Sequence, residues 1–156
     1  MLEALPKAVS TIPEAARRVL AEERRTGGLA TGEQNPDLFV ERMLSLASAD
    51  FDGADGTTVF DRGLPDLLGF CAHYELPKTV IVEALKDRRY RRRVFFCPPW
   101  KEIYRKDDER TLDFAGAAAF GELIRRAYSD CGYDLIQVPR QSIEDRVQFI
   151  LDQMAR

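Results

Sequence analysis

The sequence predicts an α/β protein in which helices cover both faces of a parallel sheet. Four short apolar stretches are typical of strands, and helical patterns separate them and follow the last one. This alternation favours parallel pairing, because parallel neighbours require a crossover connection between them. A length of 156 residues and a hydrophobic content of 45% fit one globular domain over 1–156.

The predicted strands are short and are mostly followed by residues that break regular structure. They cover Lys7–Ile12, Thr57–Phe60, Arg93–Cys97 and Tyr133–Val138. The third is almost continuously apolar, as expected for a strand that is covered on both faces. Prolines follow the first, third and fourth strands and limit how far each can continue.

Helix boundaries are indicated by proline, glycine and capping residues. Starts are predicted at Pro13, Asn35-Pro36 and Ser142, and stops at Gly27 and Gly132. In the helix that starts at Pro13, the side chains of residues 22–25 are predicted to face solvent. Further helical segments are expected at 1–5, 64–74, 77–93, 100–107 and 111–131.

Composition argues against several classes of protein. The net charge of −3 does not favour binding to nucleic acid or to a membrane surface, and no apolar run is long enough for a transmembrane helix. The first residues do not form a signal peptide. Cys71, Cys97 and Cys131 are widely spaced, which is typical of reduced thiols in a cytoplasmic protein, and His73 is the only histidine. We interpret these four residues as structural.

The most informative stretch is Thr57-Thr58-Val59-Phe60-Asp61-Arg62-Gly63. It predicts a buried strand with Asp61 just beyond its carboxyl end, where α/β sheets bind ligands. A carboxylate in that position can hold a magnesium ion directly or through water. The alternative is that Asp61 caps the following helix.

Several motifs together resemble one family along nearly the whole chain. The chain resembles the AAA-domain ATPase-like branch of P-loop NTPases, which is similar to bacterial nucleotide kinases such as thymidylate kinase. The motifs are Pro13-Glu14-Ala15-Ala16-Arg17, Phe60-Asp61-Arg62-Gly63, Arg93-Val94-Phe95-Phe96 with Pro98-Pro99-Trp100, the Tyr104–Phe114 segment and Val138-Pro139. The resemblance implies a three-layer P-loop NTPase-like fold.

The family's phosphate loop, G-x-x-x-x-G-K-[ST], does not occur in these residues. The sequence from Gly27 to Gly32 has two suitably spaced glycines, but Glu33 follows instead of lysine and a helix precedes instead of a strand. The resemblance therefore implies that the first, central strand and its loop are missing, through either a late start codon or a true truncation. Strand edges beside the gap would be unpaired and would favour a homo-oligomer.

The resemblance also implies catalytic roles for three residues. Asp61 would manage magnesium, and Arg105 and Arg110 would close on the transferred phosphate as part of a lid, where planar guanidinium groups suit the spread charge. The alternative for both arginines is a solvated, charged loop.

Three more residues are implied to face the acceptor substrate. Glu14 follows the first strand here, Arg17 lies one turn later, and Arg62 would contact a substrate phosphate. Each has a structural alternative. The Glu14 carboxylate could only stabilise the helix dipole. Arg17 could pair with Glu14, and Arg62 could form a salt bridge at the top of the sheet.

The implied cofactors are ATP and Mg²⁺, and the implied partners are a nucleotide and a small-molecule acceptor. ATPase and kinase activities both remain open, because they use the same parts. The alternative function is a non-catalytic remnant that acts as a binding or dimerisation module.

The arginine-rich stretch 88–93 is interpreted as a helix end with acidic partners rather than a nucleic-acid patch, and Trp100 as a packed anchor. Pro139 and Arg140 fall where family members approach the base.

Overall fold

The computed structural model describes residues 1–104 and 112–155. Within these ranges the chain forms six α-helices and four short strands, which confirms the predicted α/β class. The elements are β1 (Ser10–Ile12), α1 (Ala15–Thr26), α2 (Pro36–Asp52), β2 (Thr58–Phe60), α3 (Asp66–His73), α4 (Thr79–Asp87), β3 (Arg93–Phe96), α5 (Phe114–Asp130), β4 (Asp134–Gln137) and α6 (Ile143–Met154). Short 3₁₀ helices cover Leu2–Ala4 and Lys101–Ile103.

The strands pair in parallel, as the alternation of elements predicts. Strand β1 pairs with β2, with Ile12 opposite Phe60, and β3 pairs with β4, with Phe96 opposite Gln137. Over the two described ranges, these pairs form two separate two-stranded sheets rather than one continuous sheet. No strand in those ranges bridges β2 and β3.

Local sequence rules explain most helix ends. Gly27 has φ +70° and ends α1, while the Asn35 side chain accepts a hydrogen bond from the Leu38 amide at the start of α2. Ser142 likewise accepts from the Asp145 amide at the start of α6. The predicted helix at 1–5 is only a 3₁₀ turn, and α4 ends at Asp87, before the arginine-rich stretch 88–93 begins.

The prediction that all of 22–25 face solvent is wrong for Glu23. Its side chain is 2% exposed and accepts a 2.8 Å hydrogen bond from the buried Ala30 amide. It also forms an ion pair with Arg42 of α2. A polar residue on this face is therefore buried because the connection between α1 and α2 folds back over it.

Two hydrophobic clusters meet at the contact between α3 and α5. The larger cluster includes Met43, Leu67 and Cys71, and the smaller one includes Ile124 and Tyr128. The rings of Phe70 and Phe120 join the two helices, with their centroids 4.9 Å apart. This contact fixes α5 against the residues that follow β2. No helix among the described residues has the length and apolar character that crossing a membrane requires.

Candidate functional site

The site lies at the carboxyl ends of β1 and β2. Pro13 and Glu14 follow β1, and Asp61, Arg62 and Gly63 follow β2. The Asp61 amide donates a 2.8 Å hydrogen bond to the Ile12 carbonyl, which continues the parallel ladder one residue beyond β2. Parallel pairing therefore brings two segments that are distant in sequence to one edge of the sheet, where α/β proteins bind ligands.

Arg62 is the centre of this site. Its Nε lies 3.0 Å from Glu14 Oε1, and its Nη1 donates a 2.9 Å hydrogen bond to Asp66 Oδ1. Its backbone has φ +66°, a left-handed conformation that non-glycine residues adopt infrequently. The side chain is 40% exposed, so it retains access to solvent while ion-paired on two sides. The predicted salt bridge at the top of the sheet is thus present, and a role in substrate binding stays a prediction.

Asp66 holds the neighbouring backbone and side chains together. Its carboxylate accepts hydrogen bonds from the Gly63 amide at 2.9 Å and from the Tyr128 hydroxyl at 2.6 Å, in addition to the bond from Arg62. The residue is only 4% exposed. A buried carboxylate needs such donors, because leaving it unpaired would be costly.

Glu14 is ion-paired but remains in an unfavourable environment for its charge. Its side chain is 17% exposed, and Arg17 Nε lies 3.5 Å from its Oε2. Burial raises the pKa of Glu14 above its ordinary value of 4.5; Arg62 opposes this rise, and the charges of Asp61 and Asp66 add to it. The alternative in which Arg17 pairs with Glu14 is present, and a role of Arg17 in facing the acceptor stays a prediction.

Charges and burial set the protonation of the other groups. Burial alone would lower the pKa of Arg62, but the carboxylates of Asp66 and Glu14 outweigh it and raise that pKa. Burial raises the pKa of Tyr128 well above its ordinary value and that of Tyr90 to about 12. Arg62 is therefore a permanent cation, and both hydroxyls keep their protons near neutral pH.

Asp61 is exposed and does not cap the following helix. The N-cap of α3 is Pro65, without a side-chain cap, so the capping interpretation of Asp61 is wrong. The role in magnesium binding remains a prediction. Within residues 1–104 and 112–155, no group of three or more histidine, cysteine, aspartate or glutamate residues is arranged to hold a metal ion. Magnesium at Asp61 would thus need further oxygen ligands from water or phosphate.

The space beneath these side chains is small. A cavity of about 30 Å³ lies between the ends of β1 and β2 and the helices, lined in part by Glu14, Asp61, Arg62 and Phe70. This space is too small for a nucleotide or another drug-sized ligand, whose pockets span about 300–1,000 Å³.

The structure brings together four of the predicted site residues: Glu14, Arg17, Asp61 and Arg62. Arg105 and Arg110 lie outside the described residues. Sequence analysis missed Asp66 and Tyr128. The first has a local signal, since Asp66 is four residues after Arg62 and directly follows Pro65 at the start of a helix. Tyr128 has no such signal, because it reaches the site only through packing of α5 on α3.

A second cavity, of about 200 Å³, lies at the carboxyl ends of β3 and β4. Its lining includes Trp100, Pro139, Arg140 and Arg146, together with the exposed Cys97. The Arg140 side chain donates a 2.7 Å hydrogen bond to the Pro99 carbonyl. The cavity thus places Arg140 beside Trp100, and a role in approaching a base stays a prediction.

The arginine-rich stretch is engaged within the protein. The Arg88 guanidinium binds the Asp52 carboxylate through two hydrogen bonds, from Nε to Oδ1 at 2.9 Å and from Nη2 to Oδ2 at 2.6 Å. Arg92 Nε lies 2.9 Å from Asp134 Oδ2. Arg89 stacks over the Tyr133 ring, 4.7 Å from its centroid. These contacts confirm acidic partners for Arg88 and Arg92, whereas the prediction that the helix continues to Arg93 is wrong, because α4 ends at Asp87.

A mixed α/β architecture with short parallel strands and polar residues at their carboxyl ends is compatible with a P-loop-like fold. Residues 1–146 match the family model described as AAA domain. The chain therefore belongs to this family and has an AAA-type, P-loop NTPase-like domain. No curated protein and no solved structure matches the chain.

Proposed function

We propose that this domain handles Mg-ATP and transfers the terminal phosphoryl group, either to a small-molecule acceptor or to water. The family match supports a nucleotide-binding function of the P-loop NTPase type. The observation that carries the proposal is that Asp61, Arg62 and Glu14 meet at the carboxyl ends of paired parallel strands. An exposed carboxylate and a permanent cation at that place are two of the parts that phosphoryl transfer uses.

The roles follow from the charges and positions. Asp61 would orient magnesium or its water shell, because its carboxylate is exposed and lies at the end of β2. Arg62, with Glu14 and Arg17 beside it, would face the phosphate of the acceptor. Arg105 and Arg110 are proposed to stabilise charge on the transferred phosphate.

A complete site would also need the phosphate loop, whose amides and lysine hold the nucleotide. We propose that its strand belongs between β2 and β3, within a three-layer fold. The support is that the described residues form two sheets, β1–β2 and β3–β4, without a strand between them. Residues 1–156 should therefore bind ATP weakly.

The first test measures the melting temperature of residues 1–156 with and without 1 mM Mg-ATP. A dissociation constant of about 1 mM or weaker predicts a rise of about 2 °C or less. A rise of several degrees would contradict the expected weak binding. The DNA upstream of Met1 provides an independent test: an in-frame G-x-x-x-x-G-K-[ST] would support the complete enzyme, and a stop codon between such a motif and Met1 would exclude a late start.

The second test addresses the metal role of Asp61. Water-proton relaxation by Mn²⁺ is measured at several millimolar ATP for the unmodified chain, for Asp61→Asn and for Asp152→Asn. Asp152 is exposed on α6, and within residues 1–104 and 112–155 it accepts a hydrogen bond only from Gln148, so its variant is a matched control. Asp61→Asn should reduce the protein-dependent enhancement while Asp152→Asn retains it. Equal values for all three proteins would overturn the metal role.

A dimerisation module is the second candidate function. It is favoured by the unpaired edges of β2 and β3 in the described sheets, since open edges can accept a strand from another copy. Sedimentation velocity at several concentrations distinguishes the two functions. A concentration-dependent dimer that is unaffected by Mg-ATP would support the module, and a monomer at all concentrations would exclude it.

A further inference from the structure

One buried carboxylate connects three separate segments around Arg62. Asp66 is the first residue of α3, and it accepts hydrogen bonds from the Gly63 amide, the Arg62 side chain and the Tyr128 hydroxyl. Tyr128 belongs to α5 and lies 62 positions away in sequence. The orientation of Arg62 is therefore linked to the packing of α5 on α3.

The backbone of Arg62 needs this support. Its φ of +66° is uncommon for a residue with a side chain, and such conformations persist when surrounding contacts define them. Asp66 binds the amide of the next residue, Gly63, and the side chain of Arg62 itself. The same carboxylate thus fixes both the turn after β2 and the direction of the guanidinium.

Tyr128 fixes the carboxylate in turn. The 2.6 Å hydrogen bond occupies Asp66 Oδ2, the oxygen that also accepts from Gly63. Tyr128 is 6% exposed, and because burial raises its pKa, the hydroxyl stays protonated and remains a donor. Close packing at Gly69 and Ile124 keeps α5 in place against α3.

We propose that Asp66 and Tyr128 are positioning residues that hold the Arg62 guanidinium towards a phosphate group at the ends of β1 and β2. This proposal rests on the proposed function, since it assigns Arg62 a phosphate to contact. Neither positioning residue is expected to touch the phosphate. Their action is to restrict Arg62 to one direction before any ligand arrives, which lowers the cost of binding.

The experiment compares Tyr128→Phe with Tyr133→Phe. Each substitution removes one hydroxyl from a buried tyrosine, but the Tyr133 hydroxyl accepts from the Tyr90 amide rather than binding Asp66. The first readout needs no ligand: exchange with water of the Arg62 Nη1 protons, which face Asp66, measured by nitrogen-15 NMR. The signal is assigned by its loss in Arg62→Lys.

Loss of a hydrogen bond to a buried carboxylate should loosen the guanidinium, so Tyr128→Phe should speed this exchange by about tenfold, whereas Tyr133→Phe should not. Asp66→Asn, which keeps the shape but removes the charge, should speed it further. Unchanged exchange in Tyr128→Phe, with the fold verified by circular dichroism, would overturn the proposal.

The second readout is a titration with inorganic phosphate, followed on the same Arg62 signal. Tyr128→Phe should weaken phosphate binding by about tenfold while Tyr133→Phe leaves it unchanged. If phosphate does not shift the Arg62 signal even in the unmodified chain, the proposed phosphate contact fails. The exchange measurement still decides whether Asp66 and Tyr128 position Arg62, so the two failures are distinguishable.

Discussion

Arg62 Nε lies 3.0 Å from Glu14 Oε1, which joins the residues following two neighbouring parallel strands by an ion pair. Each residue comes from a different strand–helix connection, and neither has a local reason to meet the other. The parallel register, with Ile12 opposite Phe60, brings them together. The ion pair does not fully offset the burial of Glu14, so ionisation of this side chain lowers the stability of the folded protein.

The first prediction concerns the pH dependence of Glu14→Gln. Because the pKa of Glu14 is raised in the folded protein, the native state binds its proton more tightly than the unfolded state does. Below the ordinary pKa of 4.5, Glu14 is protonated in both states and its ionisation costs no stability. As pH rises from there through the raised pKa, the unmodified protein should lose stability relative to Glu14→Gln. Urea unfolding of both proteins between pH 4 and 7 measures this difference.

Glu22→Gln is the control, because the shift there has the opposite sign. The hydrogen bond from Arg25 lowers the pKa of Glu22. Its charge therefore contributes stability above pH 4.5 that is lost as pH falls through the lowered pKa. Because the Glu22 change lies below pH 4.5, the measurement is extended down to pH 3, and over this range the two variants should diverge from the unmodified protein in opposite directions. A parallel response would contradict the assignment of burial as the main influence on Glu14.

The second prediction is that Asp66→Ala destabilises the protein by about 3 kcal/mol. The substitution leaves the buried Tyr128 hydroxyl and the Gly63 amide without their acceptor and removes one partner of the partly exposed Arg62. Urea unfolding measures the loss. Asp152→Ala, at an exposed position, should stay within about 0.5 kcal/mol of the unmodified protein. Equal effects would mean that Asp66 is not a structural acceptor.

The elements of this fold could be predicted from short-range patterns, and so could part of the site. The position of Asp61 follows from a β-branched and aromatic stretch that ends just before it, and the start of α2 follows from Asn35-Pro36. Glu14 could be placed at the end of its strand because Pro13 limits that strand. In each case the signal lies within a few residues of the feature.

Other parts required tertiary information. Glu23 carries the same charge as its exposed neighbour Glu22, and only the path of the following loop determines that it is buried. Tyr128 lies on the apolar face of a helix, where a core position and a hydrogen bond to Asp66 give the same sequence pattern. The separation of the strands into two pairs likewise depends on which strands are neighbours in space.

The third prediction concerns the buried Glu23. Glu23→Ala should cost about 1–3 kcal/mol, because the Ala30 amide is buried and would lose its acceptor. Glu23→Gln keeps an acceptor oxygen and should cost less, while the exposed Glu22→Ala should change stability by about 0.5 kcal/mol or less. Amide hydrogen exchange at Ala30 provides a local measurement. Exchange there that is equal in Glu23→Ala and Glu23→Gln would contradict this explanation.

The last prediction tests how closely α3 and α5 approach. A methyl group at Gly69 would overlap the end of the Ile124 side chain and would lie 3.3 Å from the Ile124 backbone nitrogen. Gly69→Ala should therefore destabilise the protein by about 1–3 kcal/mol, despite the higher helix propensity of alanine.

Gly121 provides the matched control, since it also lies within a helix of this pair but has more space. A methyl group there would be 3.4 Å from Pro99 Cγ, an ordinary contact, so Gly121→Ala should be neutral or stabilising by up to about 1 kcal/mol. If Gly69→Ala separates the helices, it should also speed exchange of the Arg62 Nη1 protons, because Tyr128, which binds Asp66, would move with α5. A loss of stability without faster exchange would show that this helix contact does not control Arg62.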